Sequence, residues 1–422
     1  MNAMTSEQLL VEEFPAATPS LRLSVVTETW PPEVNGVSLT LSRLVQGLCA
    51  RNHPVQLIRP RQTRVDQALS HTGYEELLMR GMPIPRYPEL KLGLPAKRAL
   101  INAWTLKRPD LVHIATEGPL GWSALQAARV LKLPVTSDFR TNFHAYCEHY
   151  GVGWLRKPMV SYLRKFHNLT SLTMVPTRAL REELMQMGFE RVQVVARGVD
   201  TQLFHPQRRS EALRREWGAR PDSLVMLVVG RLAAEKNLDV ALRAHAAMQA
   251  HHADVKLVFV GDGPLRESLR QRCPQAVLAG MRKHEELAGY YASADLFVFP
   301  SLTETFGNVT IEALASGLPV LAYDTAAASD WVQSHVNGWL VPAGHEDAFM
   351  SVAVELAQNP SRLVAAREQA RARVAHQGWQ QIALQVEALM LQAMEQLPGQ
   401  TGSVGGQLAV ASESGQRLFV KR

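Results

Sequence analysis

The chain alternates short apolar runs with helical patterns, and it does so in two successive series. The β-rich runs of the first half lie at residues 21–27, 55–58, 111–115, 135–139, 172–176 and 192–196. The series restarts at residues 223–230 and continues at 255–261, 276–280, 295–300, 318–323 and 339–341. Alternation of this kind is typical of parallel sheets with helices on both faces. We predict an α/β protein with two doubly wound, Rossmann-like domains that face each other across a cleft.

The domain boundaries follow from composition and turn signals. Residues 20–200 form the predicted first domain and 201–378 the second, with a turn-rich connector near 198–206. An apolar-periodic helix is predicted for 379–397. Segments 1–19 and 398–422 lack core-forming patterns, and the second is rich in Gly and Ser, so we expect disorder in both. Ligands of doubly wound sheets bind at the carboxyl ends of strands, which makes the cleft the expected site.

Composition excludes several classes of protein. The chain has 422 residues, of which 46% are hydrophobic and 20% charged, as in globular proteins with large cores. It has no run of eighteen apolar residues, so no transmembrane helix is expected. Residues 1–20 are acidic and do not resemble a secretion signal. Three scattered cysteines, Cys49, Cys147 and Cys273, have no metal-binding spacing and favour a reduced cytoplasmic setting.

The net charge of +6 is concentrated in the first half. Residues 1–200 hold 24 Lys and Arg against 17 Asp and Glu, whereas residues 201–422 hold 21 against 22. A basic domain can bind nucleic acid, an anionic membrane surface or an acidic substrate, or it can simply be a solvated surface. No motif supports nucleic acid, and we predict no such partner.

Residues 301–324 contain two carboxylates, Glu304 and Glu312, around the run Phe306, Gly307 and Asn308. An apolar strand precedes this segment, so a helix beginning near Asn308 would point its unpaired N–H groups at the carboxyl edge of the sheet, where an anion can bind. Glu304 would lie just before the helix and Glu312 inside it. One carboxylate can then meet a sugar and the other a ribose, on either side of a diphosphate. The alternative, a solvated helix position for Glu312, conflicts with its apolar flanks.

A second cluster follows the first strand of the second half. Gly230 and Arg231 end that strand, and Lys236 comes five residues after Arg231. Two fixed cations at the top of a sheet can neutralise a diphosphate leaving group as charge develops on it. The alternative is a pair of surface cations. In the first half, Asn35 and Gly36 put flexible backbone at a helix start, which suits phosphate contact, although Asn-Gly also occurs in ordinary turns.

These segments resemble, in the same order, the motifs of retaining glycosyltransferases of family 4, which have the two-domain GT-B fold. The resemblance covers roughly residues 21–395 and includes E-x7-E and G-R-L-x-x-E-K-N elements. It implies transfer of a sugar from a nucleoside diphosphate with retention of configuration and without a metal or other cofactor. It also implies that the C-terminal helix crosses back to the first domain.

The resemblance assigns roles to individual residues. Arg231 and Lys236 would bind the donor diphosphate, Glu304 the sugar hydroxyls and Glu312 the ribose. The turn at Gly261 would be mainly structural, with some approach to the donor, and the segment 280–283, which contains Met281, would lie beneath the base.

One loop departs from the family pattern. Where relatives carry a histidine near the donor sugar, this chain has Arg140, and His144 follows four residues later. Either His144 takes the place of that histidine, or Arg140 has another role, such as holding an acidic acceptor or the leaving phosphate. The alternative for His144 is an ordinary packed or surface histidine. Asp138 is a further polar candidate, and Glu117 lies in a loop that resembles the acceptor side of the lipid-directed members.

The loop at residues 31–38 and the segment near 141–146 most resemble bacterial mannosyltransferases with lipid-linked acceptors and sulfoquinovosyl-diacylglycerol synthases. We therefore expect a hexosyltransferase that moves mannose from GDP-mannose to a lipid-linked or glycan acceptor. We expect it in the cytoplasm, peripherally bound to an anionic membrane surface. A UDP-sugar donor, a nucleotide-sugar 2-epimerase of the same fold and a non-catalytic sugar-nucleotide-binding protein are the alternatives.

Overall fold

The computed structural model describes residues 20–33, 36–63, 65–68, 70–71, 73–84, 87–140, 156–252 and 254–395. Within these ranges the strands form two separate, mainly parallel sheets and an antiparallel hairpin. The strands of the first half are β1 Leu23–Val26, β2 Val55–Pro60, β3 Ser70–His71, β4 Tyr74–Met79, β5 Gly81–Ile84, β6 Tyr87–Gly93, β7 Leu111–Ile114, β8 Val135–Asp138, β9 Leu172–Val175 and β10 Val192–Val194. Those of the second half are β11 Leu224–Val229, β12 Val255–Val260, β13 Val277–Leu278, β14 Leu296–Phe299, β15 Val320–Tyr323 and β16 Gly338–Val341.

The described helices connect these strands. They are α1 Gly36–Ala50, α2 Lys97–Leu106, α3 Pro119–Val130, α4 Arg156–Asn168, α5 Arg178–Gln186, α6 Glu211–Glu216, α7 Leu238–Gln249, α8 Arg266–Arg272, α9 His284–Ser293, α10 Asn308–Ala315, α11 Ala326–Trp331, α12 Glu346–Gln358, α13 Ser361–Val374 and α14 Trp379–Glu395. Two 3-10 turns lie at Pro206–Arg208 and Ala234–Lys236. None of the described helices combines the length and apolar character that crossing a lipid bilayer requires.

The second sheet has the strand order β13-β12-β11-β14-β15-β16, with every pair parallel. Numbered from β11, this is the order 3-2-1-4-5-6 of a dinucleotide-binding fold. The order reverses between β11 and β14, so the loops that leave these two strands diverge and open a crevice. Ligands of such sheets bind at this crevice.

The first sheet has the order β10-β9-β8-β7-β1-β2-β4-β3 and is parallel except for the short β3–β4 pair. Its order reverses between β1 and β7, so a second crevice opens beyond these strands. Strands β5 and β6 form a separate antiparallel hairpin.

Apolar strand runs account for both sheets. All six residues of β11 are buried, and one hydrophobic cluster covers each face of the second sheet. Strands buried on both faces are near-continuous in Val, Leu and Phe, as in β11, β12 and β14. The α/β class and the two Rossmann-like sheets that the sequence predicted are confirmed.

We call the part of the chain around the first sheet the first lobe and the part around the second sheet the second lobe. The last helix, α14, packs on the first lobe, although it follows the second lobe in sequence. Ile382, Val386 and Met390 are buried in the same cluster as β1, β2 and α1. Its buried Glu387 binds the Arg51 and His53 side chains at 2.5 and 2.9 Å. Through this helix the chain therefore crosses back from the second lobe to the first.

Four strands were not predicted. β3, β4, β5 and β6 occupy residues 70–93, where the sequence mixes acidic residues, prolines and glycines with apolar ones. β4 pairs in parallel with β2 and extends the first sheet on that side. The expectation of disorder in residues 1–19 and 398–422 concerns segments outside the described residues.

Candidate active site

Lys236 and Glu304 form an ion pair where the strand order of the second sheet reverses. Lys236 ends the 3-10 turn after β11, and Glu304 lies in the loop after β14. Lys236 Nζ donates to Glu304 Oε1, which also accepts a hydrogen bond from Ser301 Oγ at 3.0 Å. The two side chains are only 19% and 13% exposed, so solvent screens the pair weakly. The sequence predicted both residues at this edge but not their direct contact.

Arg231 lies in the same loop as Lys236 but has a different environment. Its side chain is 63% exposed, and Nη1 is 3.9 Å from Glu235 Oε1. The guanidinium is therefore a solvated cation that can move toward an anion in the crevice.

Helix α10 begins at Asn308, directly after the loop that holds Glu304. Gly307 has φ +85°, a conformation that glycine adopts without strain and that turns the chain into the helix. The N-cap residue, Gly307, has no side chain to cap the helix, so within the described part of the chain the first-turn N–H groups and the positive end of the helix dipole are available to an anion. Phe306, just before the turn, is buried in the core. The loop is thus fixed by packing while the helix start stays open.

Glu312 lies on the same helix and accepts a hydrogen bond from Tyr291 Oη at 3.0 Å. Burial raises the pKa of Glu312 to about 7, although the Tyr291 hydrogen bond acts in the opposite direction. Its neighbours Ile311 and Ala313 are fully buried, whereas Glu312 itself is partly exposed. This carboxyl is therefore able to exchange a proton near neutral pH and to meet a ligand hydroxyl.

The remaining residues predicted for the donor have mixed placements. Gly261 has φ +136°, and a Cβ there would lie 1.9 Å from the Gly230 carbonyl oxygen, so its role in the ligand-free fold is close packing of two loops. Met281 follows β13 and is 60% exposed. Gly36 begins α1, whereas Asn35 lies outside the described residues.

Arg140 is held at the carboxyl end of β8 by Asp138. Arg140 Nε and Nη2 both lie 2.5 Å from Asp138 Oδ2, and His113 Nε2 lies 3.1 Å from the same oxygen. The Arg140 and His113 partners outweigh the effect of burial and lower the pKa of Asp138 to about 2. This carboxylate is thus committed to positioning Arg140. His144 lies outside the described residues.

Two further carboxylates lie at the crevice of the first sheet. Glu28 follows β1 and accepts a hydrogen bond from the Leu120 backbone N–H at 3.0 Å, while Glu117 follows β7 and pairs with His167 Nε2 at 3.3 Å. Burial raises the pKa of Glu28 to about 7. The hydrogen bond from the Leu120 backbone acts in the opposite direction, and the Glu117 charge adds to the rise. A Cβ at Gly118 would lie 2.0 Å from Glu28 Oε2, which explains the glycine there. Sequence analysis proposed Glu117 for the acceptor side but missed Glu28.

Arg197 is the functional candidate that sequence analysis missed most clearly. It follows β10 in the first lobe, yet its Nη1 donates to Asn308 Oδ1 at the start of α10 in the second lobe, at 3.2 Å. Its guanidinium also lies 5.5 Å from the centre of the Phe306 ring. The only sequence signal was an arginine between a strand and Gly198 at the domain boundary.

Within the described ranges, no three His, Cys, Asp or Glu side chains converge in a way that could hold a metal ion. The charged groups of the crevice are instead Lys236, Arg231 and the α10 N-terminus, which can offset phosphate charge directly.

Comparison with known sequences agrees with this geometry. The family profile described as "Glycosyltransferase Family 4" matches residues 34–203, and that described as "Glycosyl transferases group 1" matches residues 223–359. A GDP-mannose-dependent alpha-mannosyltransferase of Mycobacterium tuberculosis is 37% identical over 77% of this chain and 84% of its own length. An enzyme of that name from Corynebacterium glutamicum is 31% identical over 81% and 82%. A sulfoquinovosyl transferase of Arabidopsis thaliana is 31% identical over 69% and 59%.

Solved structures share the fold. Sucrose-phosphate synthase from Thermosynechococcus elongatus superposes with a TM-score of 0.70 at 19% identity, over 89% of this chain and 99% of the other. WaaG, a glycosyltransferase involved in lipopolysaccharide biosynthesis, superposes with a TM-score of 0.65 at 16% identity, over 87% and 99%. Two facing Rossmann-like lobes, with an ion pair and an open helix N-terminus at the crevice of the second sheet, together with these relatives, place the chain in glycosyltransferase family 4, with the GT-B fold.

Proposed function

We propose that this glycosyltransferase transfers mannose from GDP-mannose to a lipid-linked acceptor with retention of configuration. The observation that carries the proposal is the Lys236–Glu304 pair beside the uncapped N-terminus of α10, at the crevice of the second sheet. The choice of donor rests on the names of the two bacterial relatives described above. A UDP-sugar donor is the alternative, since the crevice geometry does not depend on the base.

The second lobe supplies the charge that stabilises the leaving group. The diphosphate lies against the first turn of α10, where N–H groups and the helix dipole favour anions. Lys236 and Arg231 neutralise the charge that develops on the leaving oxygen, and Arg231 reaches it by moving in from solvent. Because Lys236 is already paired with Glu304, it is oriented before the donor arrives, which lowers the cost of reorganisation.

The two carboxylates of the second lobe orient the neutral parts of the donor. Glu304 accepts hydrogen bonds from sugar hydroxyls through the oxygen that Lys236 does not hold. Glu312 accepts from the ribose. Ionised Glu312 is the better acceptor, so donor binding lowers its pKa and releases a proton near pH 7.

Retention is assigned to attack of the acceptor on the same face that the diphosphate leaves. A covalent intermediate would need a carboxylate nucleophile. Asp138 lies beside Arg140, but its contacts with Arg140 and His113 make it a poor nucleophile. The departing phosphate oxygen therefore takes the acceptor proton. Arg140 holds that phosphate or an acidic group of the acceptor.

The acceptor enters from the first lobe, and the protein binds the membrane peripherally through a basic surface. Lys157, Arg164 and Lys165 are exposed on α4, and Lys165 Nζ lies 6.0 Å from the centre of the Trp122 ring. Tyr162 on the same helix donates to the Glu117 carbonyl, so this surface adjoins the crevice of the first sheet. Cations near an aromatic ring suit the interface of an anionic bilayer.

The donor is tested by measuring melting midpoints with GDP-mannose, GDP-glucose, UDP-glucose and UDP-galactose. A ligand that binds the folded protein selectively raises the midpoint, and we expect GDP-mannose to give the largest rise. Turnover is then followed as GDP release with a membrane lipid extract as acceptor. Conversion of the sugar nucleotide without GDP release would instead identify an epimerase.

The role of Lys236 is tested with Lys236→Ala against Lys256→Ala. Lys256 lies at the amino end of β12, on the opposite edge of the same sheet, and pairs with Asp254 at 2.9 Å. Loss of a charged group that acts in the transition state costs about 100- to 1000-fold in kcat. We expect that loss for Lys236→Ala and near-normal turnover for Lys256→Ala. Equal turnover of the two variants would rule out the proposed site.

Metal independence is proposed from the same charge arrangement. Excess EDTA is expected to leave the rate of GDP release unchanged. A rate that falls with EDTA and returns with Mg²⁺ or Mn²⁺ would show that the cations of the crevice are insufficient.

A further inference from the structure

Arg197 is a buried cation without a counter-anion among the described residues. The residue is 7% exposed, and its Nε has no hydrogen-bond partner within the described ranges. The partner that its side chain does have is a neutral amide oxygen, Asn308 Oδ1. A buried guanidinium that lacks an ionic partner costs stability, because it has lost water without gaining a carboxylate. Such a group is retained where a ligand supplies the missing charge.

The position of Arg197 identifies the kind of ligand. Its Nη1 lies 3.2 Å from the side chain of the residue that begins α10, the helix whose N-terminus is open to an anion. On the other side, a Cβ at Gly36 would lie 3.1 Å from the same nitrogen, so the start of α1 also faces it. Two helix N-termini, one from each lobe, thus flank a single guanidinium.

The surrounding charges leave Arg197 with an unmet requirement. Burial and the Arg140 cation lower the pKa of Arg197 to about 9, and the Glu304 and Asp138 carboxylates offset this only in part. Both carboxylates are already occupied, by Lys236 and by Arg140 with His113. Neither forms an ion pair with Arg197 within the described part of the chain.

We propose that Arg197, from the first lobe, binds the diphosphate of the donor beside the α10 N-terminus, together with Lys236 of the second lobe. Phosphate oxygens replace Asn308 Oδ1 as the acceptor for Nη1 and pair with the free Nε. The guanidinium presents Nε with Nη2 on one edge and Nη1 with Nη2 on another, and each of these edges matches the spacing of two phosphate oxygens. The contact joins the first lobe to a ligand carried by the second, so donor binding draws the lobes together. This inference rests on the function proposed above.

The test compares binding of GDP and guanosine by titration calorimetry for the wild type, Arg197→Gln, Arg197→Lys and Arg191→Gln. Arg191 lies at the amino end of β10, whereas Arg197 follows the carboxyl end of the same strand. It is solvent-exposed and pairs with Glu190, so its substitution makes the same change of charge far from the cleft. Loss of a hydrogen bond to a charged group weakens binding by roughly 10- to 100-fold. We expect that loss for GDP with Arg197→Gln, a smaller one with Arg197→Lys, and none with Arg191→Gln. Guanosine binding is expected to be unchanged in all.

A second readout separates ligand binding from structural support. If Arg197 serves to bind the donor diphosphate, Arg197→Gln removes a buried unpaired charge from the protein without ligand. The melting midpoint of that protein then stays the same or rises. The stabilisation by GDP shrinks at the same time. A lower ligand-free midpoint with unchanged GDP affinity would show that Arg197 only braces the fold, and would overturn the inference. Failure of the wild type to bind GDP or UDP would overturn the proposed function itself, and the inference with it.

Discussion

Substitution of Glu312 by Gln changes how stability depends on pH, in a direction that the structure fixes. The pKa of Glu312 is raised from 4.5 to about 7 because the carboxyl is buried. The stabilisation from its neutral form is therefore complete below pH 4.5 and is lost as the pH rises through about 7. At about 1.4 kcal/mol per unit of pKa, the full effect is about 3 kcal/mol. About 2 kcal/mol of it falls between pH 5.5 and pH 8.5.

A glutamine cannot ionise, so Glu312→Gln lacks this loss. We expect the wild type to lose stability relative to the variant by about 2 kcal/mol between those two pH values. Urea unfolding of both proteins at pH 5.5, 7.0 and 8.5 measures the difference. Glu28, whose pKa is also raised to about 7, is present in both proteins and cancels.

Glu267→Gln serves as the control, because its carboxylate is 64% exposed on α8, and its difference from the wild type is expected to be independent of pH. The stability difference between the wild type and Glu312→Gln could instead be constant with pH, or the variant could lose more stability at high pH than the wild type. Either result would show that burial does not raise the pKa of Glu312.

Three shorter predictions concern the first lobe. Gly118→Ala places a Cβ 2.0 Å from Glu28 Oε2 and should lower the melting midpoint. The control is Gly344→Ala, whose Cβ would have no described atom within 4 Å and would add only the strain of the positive φ, so its melting midpoint should fall less. Asp138→Asn breaks the buried pairs with Arg140 and His113 and should cost about 3 kcal/mol of unfolding free energy at pH 7; an unchanged urea midpoint would contradict the pairing. The protein should sediment with anionic vesicles at low salt and not with neutral ones, and replacing Lys157, Arg164 and Lys165 by Gln together should abolish this; equal binding to both vesicle types would remove the membrane surface.

The fold was largely predictable because its core strands carry their own signal. β11 and β14 are continuous apolar runs, and each is followed by turn and helix patterns. Residues 70–93 gave no such signal, since β4 is YEELLM, with two acidic residues in the strand. Glu76 is buried there and pairs with Arg59 on β2 at 2.8 Å, a contact that local sequence cannot reveal.

The positions of the proposed site residues in the fold were predictable as far as their motifs extend. Glu304, Glu312, Arg231 and Lys236 were placed from spacing and resemblance, and the structure puts them on the loops and helix of one crevice. Contacts between separate segments were not predictable. The Lys236–Glu304 pair joins residues 68 positions apart, and Arg197 reaches Asn308 over 111 positions.

In the function proposed here, a donor diphosphate lies between the lobes, against the N-terminus of α10. A crystal structure of the protein with GDP-mannose tests it most directly. We expect phosphate oxygens within hydrogen-bond distance of Lys236 Nζ and of the first-turn N–H groups of α10, with the mannose beside Glu304. A donor bound away from this crevice, or one whose diphosphate contacts none of these groups, would contradict it.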